Sequence, residues 1–275
     1  MELKKDANIP LVSSKVDSRA SIITLNNSAD GNVLNIGSMT ALRDCLAAAA
    51  KDDDTRVIVL RSDGPVFCMG MDFSMLLGLG TDKTTADKAV SLYVEILTTI
   101  HSLDKPVVCV LKGDVKAGGV GLAAACDIVL ASEDATFEFS EIFFGLIPAN
   151  VIPFVCSLRI TSQKVRYLVL TAKKVGAAES LRLGLIDEVF TKDELEKGVR
   201  GVMKNLFRAS PDAMRDAKKF TDALSGTTLS EGSRLAREKL LEMIARPEVI
   251  DAIRNFREGV SPGWFERFKP ENPVS

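Results

Sequence analysis

Residues 107–131 read VVCVLKGDVKAGGVGLAAACDIVLA. The first five are apolar and mostly β-branched, follow Pro106, and read as a buried strand. Ala117-Gly118-Gly119 then makes a Gly-rich turn that opens a helix of small residues over 118–125. Asp127–Ala131 is a second apolar strand. Strand, Gly turn, helix and strand within one short stretch define a crossover between parallel strands. The strands are continuously apolar rather than alternating, which fits a sheet covered on both faces.

The same unit appears upstream. Ala89, Val90, Tyr93, Val94, Leu97 and Ile100 recur at helical spacing over 86–103, and Val57–Leu60 is another apolar strand. Ser38 is placed to cap a helix that carries Leu42, Cys45, Leu46 and Ala49 as far as Asp52. Residues 11–25 read as two short strands around an Asp-Ser turn. Past residue 150 the pattern becomes helical, over 161–171, 177–183, 192–208, 211–225, 229–245 and 247–258. The expected organisation is an α/β core over 1–200 followed by a helical region over 201–275.

Composition narrows the function. The chain has 275 residues, 35 Lys and Arg against 37 Asp and Glu, and a formal charge of −2, which argues against a broad nucleic-acid footprint. One Trp and two Tyr leave few stacking platforms for single strands. Five scattered Cys without a CxxC pattern read as reduced thiols of a cytoplasmic protein. The N-terminal MELKKDANIP has no apolar core of a secretory signal, and no apolar run reaches membrane-spanning length. His101 is the single histidine, at a helix end where a basic residue complements the dipole, so neither a His-rich metal site nor a redox cofactor is implied.

Three segments could carry chemistry. Gly113–Gly121 places backbone amides at the start of a helix, a setting for a phosphate or a reaction oxyanion, or simply for tight packing; it matches neither GxGxxG nor a Walker loop. Phe67-Cys68-Met69-Gly70-Met71-Asp72-Phe73 alternates like a core strand, which leaves Asp72 as a cap for Ser74 onward or as a functional acid. Glu141 lies in FEFSEIFFG; it is either a helix-start carboxylate or a buried one whose raised pKa suits proton transfer.

Taken together and in this order, the segments resemble the crotonase (enoyl-CoA hydratase/isomerase) superfamily. The matching stretches are FCMGMDF at 67–73, LKGDVKAGGVGLAAACDIVLASEDATF at 111–137 and SEIFFGLIP at 140–148, with Asp104-Lys105-Pro106-Val107 and Gly184–Val189 in support. The resemblance spans residues 12–270. It implies a ββα spiral core with a C-terminal helical trimerisation region, hence a homotrimer or hexamer. It also implies an oxyanion hole for a thioester, made by the backbone N–H groups of Met71 and Gly118. Of the two glutamates used by the hydratases, the second matches Glu141, whereas the first falls on Gly121. Asp72, Asp114, Lys116 and Asn150 are the polar residues near enough in sequence to replace it.

A narrower resemblance, in AGGVGL, CDIVLASE and FGLIP, is to the dehydratases of polyketide β-branching cassettes, which act on 3-hydroxy-3-methylglutaryl groups held on an acyl carrier protein. Its implication is a hydro-lyase with Glu141 and Asp72 as acid–base groups. Lys116 and Asn150 are candidate substrate contacts, and Phe265, Arg267 and Lys269 candidate contacts to the phosphopantetheine arm or CoA. The alternatives are an enoyl-CoA hydratase/isomerase or decarboxylase of the same fold acting on CoA thioesters, and a non-catalytic thioester-binding or scaffolding paralogue.

Overall fold

The computed structural model describes residues 10–79 and 82–275, so the N-terminal MELKKDANI lies outside the described residues. The chain divides into two units: one runs to Gly201 and takes in Pro270–Ser275, the other is Val202–Lys269.

The first unit opens with a hairpin, β1 (Val12–Asp17) and β2 (Ala20–Leu25), paired antiparallel. Ser18 and Arg19 at its turn have φ of 49° and 62°, the double left-handed pair that matches the twist of a two-residue hairpin. Helix α1 (Ile36–Lys51) follows, then β3 (Val57–Ser62), β4 (Val66–Cys68), α2 (Phe73–Leu79) and α3 (Lys83–Ser102). Next come β5 (Val107–Leu111), β6 (Asp114–Lys116), α4 (Gly118–Ala125), β7 (Ile128–Ser132) and β8 (Thr136–Glu138). After a 3-10 turn at Ser140–Phe144 the chain forms α5 (Ile152–Leu158), α6 (Ser162–Thr171), β9 (Val175–Gly176), α7 (Ala177–Leu183), β10 (Glu188–Phe190) and α8 (Leu195–Arg208).

The strands build two sheets, ordered β1-β2-β3-β5-β7-β10 and β4-β6-β8-β9. Within the first, β2, β3, β5, β7 and β10 are parallel, as the apolar runs require. The second sheet gives the ββα spiral that the family resemblance implies. Each repeat gives a long strand to the first sheet and a three-residue strand to the second, so β3-β4, β5-β6 and β7-β8 spiral between layers. Strands of three residues carry too little apolar sequence to register as a run.

The core lies where α1 and α3 cover the first sheet. Met39, Leu42 and Leu46 of α1 and Ile96, Leu97 and Ile100 of α3 are fully buried, as are most residues of β3 and β5. Helix α1 is capped by Asn35 rather than Ser38: the Asn35 side chain accepts from Ser38 N, and the Ser38 hydroxyl accepts from Asn35 N. The expected cap is therefore the third residue of a capping box. Helix α4 is buried along all eight residues, which its glycines permit. A Cβ on Gly119 would lie 2.6 Å from the Cys68 carbonyl oxygen, so α4 presses directly on β4.

The last six residues return to the first unit, where Asp17 accepts from the Glu271 and Asn272 amides and Arg61 donates to the Pro273 and Ser275 carbonyls. The last helix ends at Arg257, and the second unit runs to Lys269. The second unit holds α9 (Pro211–Ala223), α10 (Leu229–Ile244) and α11 (Pro247–Arg257). Asp216 of α9, buried, pairs with Lys239 at 3.2 Å and Arg246 at 2.6 Å. Phe207 stacks on Phe268 with 4.9 Å between ring centroids.

Candidate active site

Two loops converge at the start of α4. Gly70 has φ of +89°, and a Cβ there would meet Ala117 Cβ at 2.7 Å and Gly118 N at 3.2 Å. Only glycine allows this conformation and this approach at no steric cost. The neighbouring Leu34–Met71 bridge is parallel: Leu34 N donates to Gly70 O at 2.8 Å and Asp72 N to Leu34 O at 3.0 Å. That ladder leaves the Met71 N–H facing away from Leu34. Gly118 is the first residue of α4, where an amide has no intrahelical acceptor. Ala117 before it has φ of 48°, a rare conformation for alanine, held by its own N–H bond to Glu138 O at 3.0 Å. The two expected oxyanion donors therefore stand on adjoining loops, at a helix end of positive dipole.

Glu141 follows β8, and its charge acts on the phenol of Tyr93 in α3. Lys116 of β6 is in register with Glu138 of β8, which sets the 3-10 turn at 140–144 beside the α4 entrance. Burial pushes the Glu141 carboxyl above its ordinary range, and its Oε2 is buried without a hydrogen-bond partner among the described residues. A carboxylate held in this state takes up a proton more readily than one in water.

Asp72 is placed otherwise. Its Oδ1 accepts from Ser74 N at 2.7 Å and from Met75 N at 3.4 Å, so it caps α2. Of its two readings from sequence, the structure displays the cap. Lys116 pairs with Glu138 at 3.1 Å, and Asp114 accepts from the Thr136 hydroxyl and pairs with Lys174. Asn150 lies in the turn before α5, half-buried. Phe265, Arg267 and Lys269 belong to the second unit, where Phe265 lies under the Arg208 guanidinium at 5.2 Å and the other two side chains are exposed. No three His, Cys, Asp or Glu side chains gather to hold a metal among the described residues.

Sequence reasoning passed over one residue. Tyr93 reads as a core position of α3, yet its hydroxyl donates to Gly118 O at 2.6 Å. The signal was available: a tyrosine on a buried helix face needs a partner for its O–H. Burial, reinforced by the Cys68 and Glu141 charges, holds the phenol protonated well above its usual range. Its oxygen also lies 2.2 Å from where a Cβ on Gly121 would stand. The space a side chain at 121 would need is filled from α3.

An apolar apron adjoins Glu141. Phe73 and Phe144 meet edge to face with centroids 4.9 Å apart, and Leu77, Phe143, Leu146 and Ile147 are exposed.

Known proteins place this geometry in context. The enoyl-CoA hydratase/isomerase family model matches residues 17–267. Enoyl-CoA hydratase domain-containing protein 3, mitochondrial, of Rattus norvegicus is 27% identical over 244 residues, covering 88% of this chain and 80% of that protein. A peroxisomal Delta(3,5)-Delta(2,4)-dienoyl-CoA isomerase of Arabidopsis thaliana is 25% identical over 230 residues, covering 79% and 82%. The solved structure of an enoyl-CoA hydratase/isomerase from Marinobacter aquaeolei superposes with a TM-score of 0.86 at 24% identity, covering 93% of this chain and 99% of that one. The match across nearly the whole chain, on a spiral of two sheets, makes this protein a member of the enoyl-CoA hydratase/isomerase (crotonase) family, an enzyme of the hydro-lyase type.

Proposed function

We propose that the protein dehydrates a 3-hydroxyacyl thioester, with Glu141 as the single acid–base carboxylate. The observation that carries this reading is Glu141: its Oε2 is buried and unpartnered among the described residues, its pKa is raised by burial, and its charge acts on Tyr93, whose hydroxyl donates to Gly118 O. The Met71 and Gly118 N–H groups hold the thioester oxygen and stabilise negative charge as it develops. The Glu141 carboxylate takes the C2 proton, leaving an enolate. The C3–O bond then breaks, and the departing hydroxide receives the proton from Glu141, so that one water leaves and the carboxylate is restored. One carboxylate on one face suffices for this elimination.

The resemblance to β-branching dehydratases supports a 3-hydroxy-3-methylglutaryl group on an acyl carrier protein as substrate and 3-methylglutaconyl as product. Lys116 and Asn150 are assigned to the acyl group, and Arg267, Lys269 and Phe265 to a phosphate of the pantetheine arm. Five free thiols favour a reducing compartment such as the cytoplasm. Exposed Leu240, Leu241, Ile244, Ile253 and Phe256 of the second unit favour assembly into trimers.

The experiment is to incubate the protein with 3-hydroxy-3-methylglutaryl-loaded carrier protein and weigh the product by mass spectrometry. Loss of one water supports the reading. Loss of water and carbon dioxide, or no change while a CoA-linked enoyl double bond migrates, replaces it with decarboxylation or isomerisation.

A further inference from the structure

Gly118, Gly121 and Tyr93 pack against one another. Residues 118 and 121 are one helical turn apart and so line the same face of α4. A Cβ on Gly118 would meet Leu34 Cδ1 at 3.2 Å and the Tyr93 oxygen at 3.4 Å; one on Gly121 would meet the Tyr93 oxygen at 2.2 Å and Val151 Cγ2 at 3.1 Å. Among these neighbours the phenol oxygen is the polar atom. Its single proton is committed to Gly118 O, 2.6 Å away. The oxygen therefore keeps acceptor capacity and no free donor.

The geometry points to Tyr93 as a positioning and specificity residue that accepts a hydrogen bond from the C3 hydroxyl of the substrate, its phenol oxygen standing where a side chain at 121 would otherwise reach. This deepens the dehydration reading and rests on it. The thioester oxygen sits at the Gly118 N–H, so C3 lies a short way along the same α4 face, where the phenol reaches. Tyr93 stays protonated throughout; the proton that leaves with the hydroxide is the one Glu141 took from C2. An acyl group without the 3-hydroxyl gains nothing from Tyr93, so the residue selects hydroxyacyl over saturated thioesters.

The test compares wild type with Tyr93→Phe in two reactions. The first is dehydration of 3-hydroxy-3-methylglutaryl-CoA. The second is deuterium exchange at C2 of 3-methylglutaryl-CoA, which needs the amides and Glu141 but has no C3 hydroxyl. The expected result is a fall of about tenfold or more in the ratio of dehydration to exchange, the scale of one buried hydrogen bond. An unchanged ratio, whether both rates fall together or neither falls, would overturn the assignment, because the phenol would then act only through the Gly118 backbone. Wild type that exchanges C2 but does not dehydrate overturns the dehydration reading itself, and Tyr93's role with it. A packing control places the hydroxyl. Gly121→Ala should lower the thermal midpoint, and adding Tyr93→Phe should recover most of the loss by removing the atom at 2.2 Å. A wild-type midpoint for Gly121→Ala alone would put the phenol elsewhere and overturn the proposal.

Discussion

Two carboxylates follow short strands of the second sheet, and their surroundings give them different work. Asp72 follows β4 and stands just before α2; Glu141 follows β8 and lies inside a 3-10 turn. At Asp72 the next two amides but one point back at the carboxylate, and it accepts from both Ser74 and Met75. At Glu141 the turn's own carbonyls take the nearby amides, with Gly145 N and Leu146 N bonding backbone oxygens. The carboxylate is left inside the protein with an unpartnered oxygen. A satisfied carboxylate holds a loop in place, here the loop that aims the Met71 amide. An unsatisfied buried one is poised to exchange a proton.

Substitutions can break that contrast. Glu141→Gln should lower turnover by about 10²–10⁴-fold, the range of a general acid–base group. Asp72→Asn should stay within severalfold of wild type, because asparagine still caps. Steady-state rates on one thioester would decide it, and the reverse ranking would transfer the chemistry to Asp72.

The second effect falls on the fold. Gly119→Ala puts a Cβ 2.6 Å from a backbone oxygen of β4 and 2.9 Å from Cys68 Cβ, so α4 must move. Overpacking of this kind costs about 1–3 kcal/mol, visible as a lower midpoint in thermal or denaturant unfolding. A wild-type midpoint would mean that α4 does not press on β4.

A smaller effect is expected at the cap. Asp72→Ala should cost about 1 kcal/mol, and part of any lost activity should follow from a loosened Met71 loop. Chemical denaturation of the alanine and asparagine variants would separate cap from charge, since only alanine removes the acceptor.

The pH dependence sharpens the contrast further. Burial raises the folded-state pKa of Glu141, so its ionised form opposes folding. The protonated form's contribution to stability is present below the unfolded pKa and lost as pH rises through the folded one. Glu141→Gln should therefore be more stable than wild type at neutral pH, with the difference closing towards pH 4. As a base, Glu141 works only when ionised, so the acid limb of kcat/KM should lie above the ordinary glutamate range. A limb at or below that range would show a solvated carboxylate.

The sequence made the first sheet legible because β3, β5 and β7 are continuous apolar runs, and it made α3 and α4 legible by spacing and by the Gly turn. It hid the second sheet, whose strands are two or three residues long and defined by pairing rather than composition. It also hid the capping role of Asn35, which differs from Ser38 as a cap only in where the chain turns. Met71 and Gly118 could be named from motif position, yet their adjacency depends on Gly70 touching Gly118 across two loops. Gly121 stood out as a missing carboxylate. What fills its place comes from Tyr93, 28 positions earlier, and only folding brings the two together.

The most direct test of the central claim is C2 proton exchange, followed by NMR in deuterium oxide on 3-methylglutaryl-CoA, for wild type, Glu141→Gln and Asp72→Asn. The account predicts exchange by wild type and Asp72→Asn at comparable rates, and its loss in Glu141→Gln with binding of the thioester retained. Exchange that survives in Glu141→Gln and disappears in Asp72→Asn would contradict it.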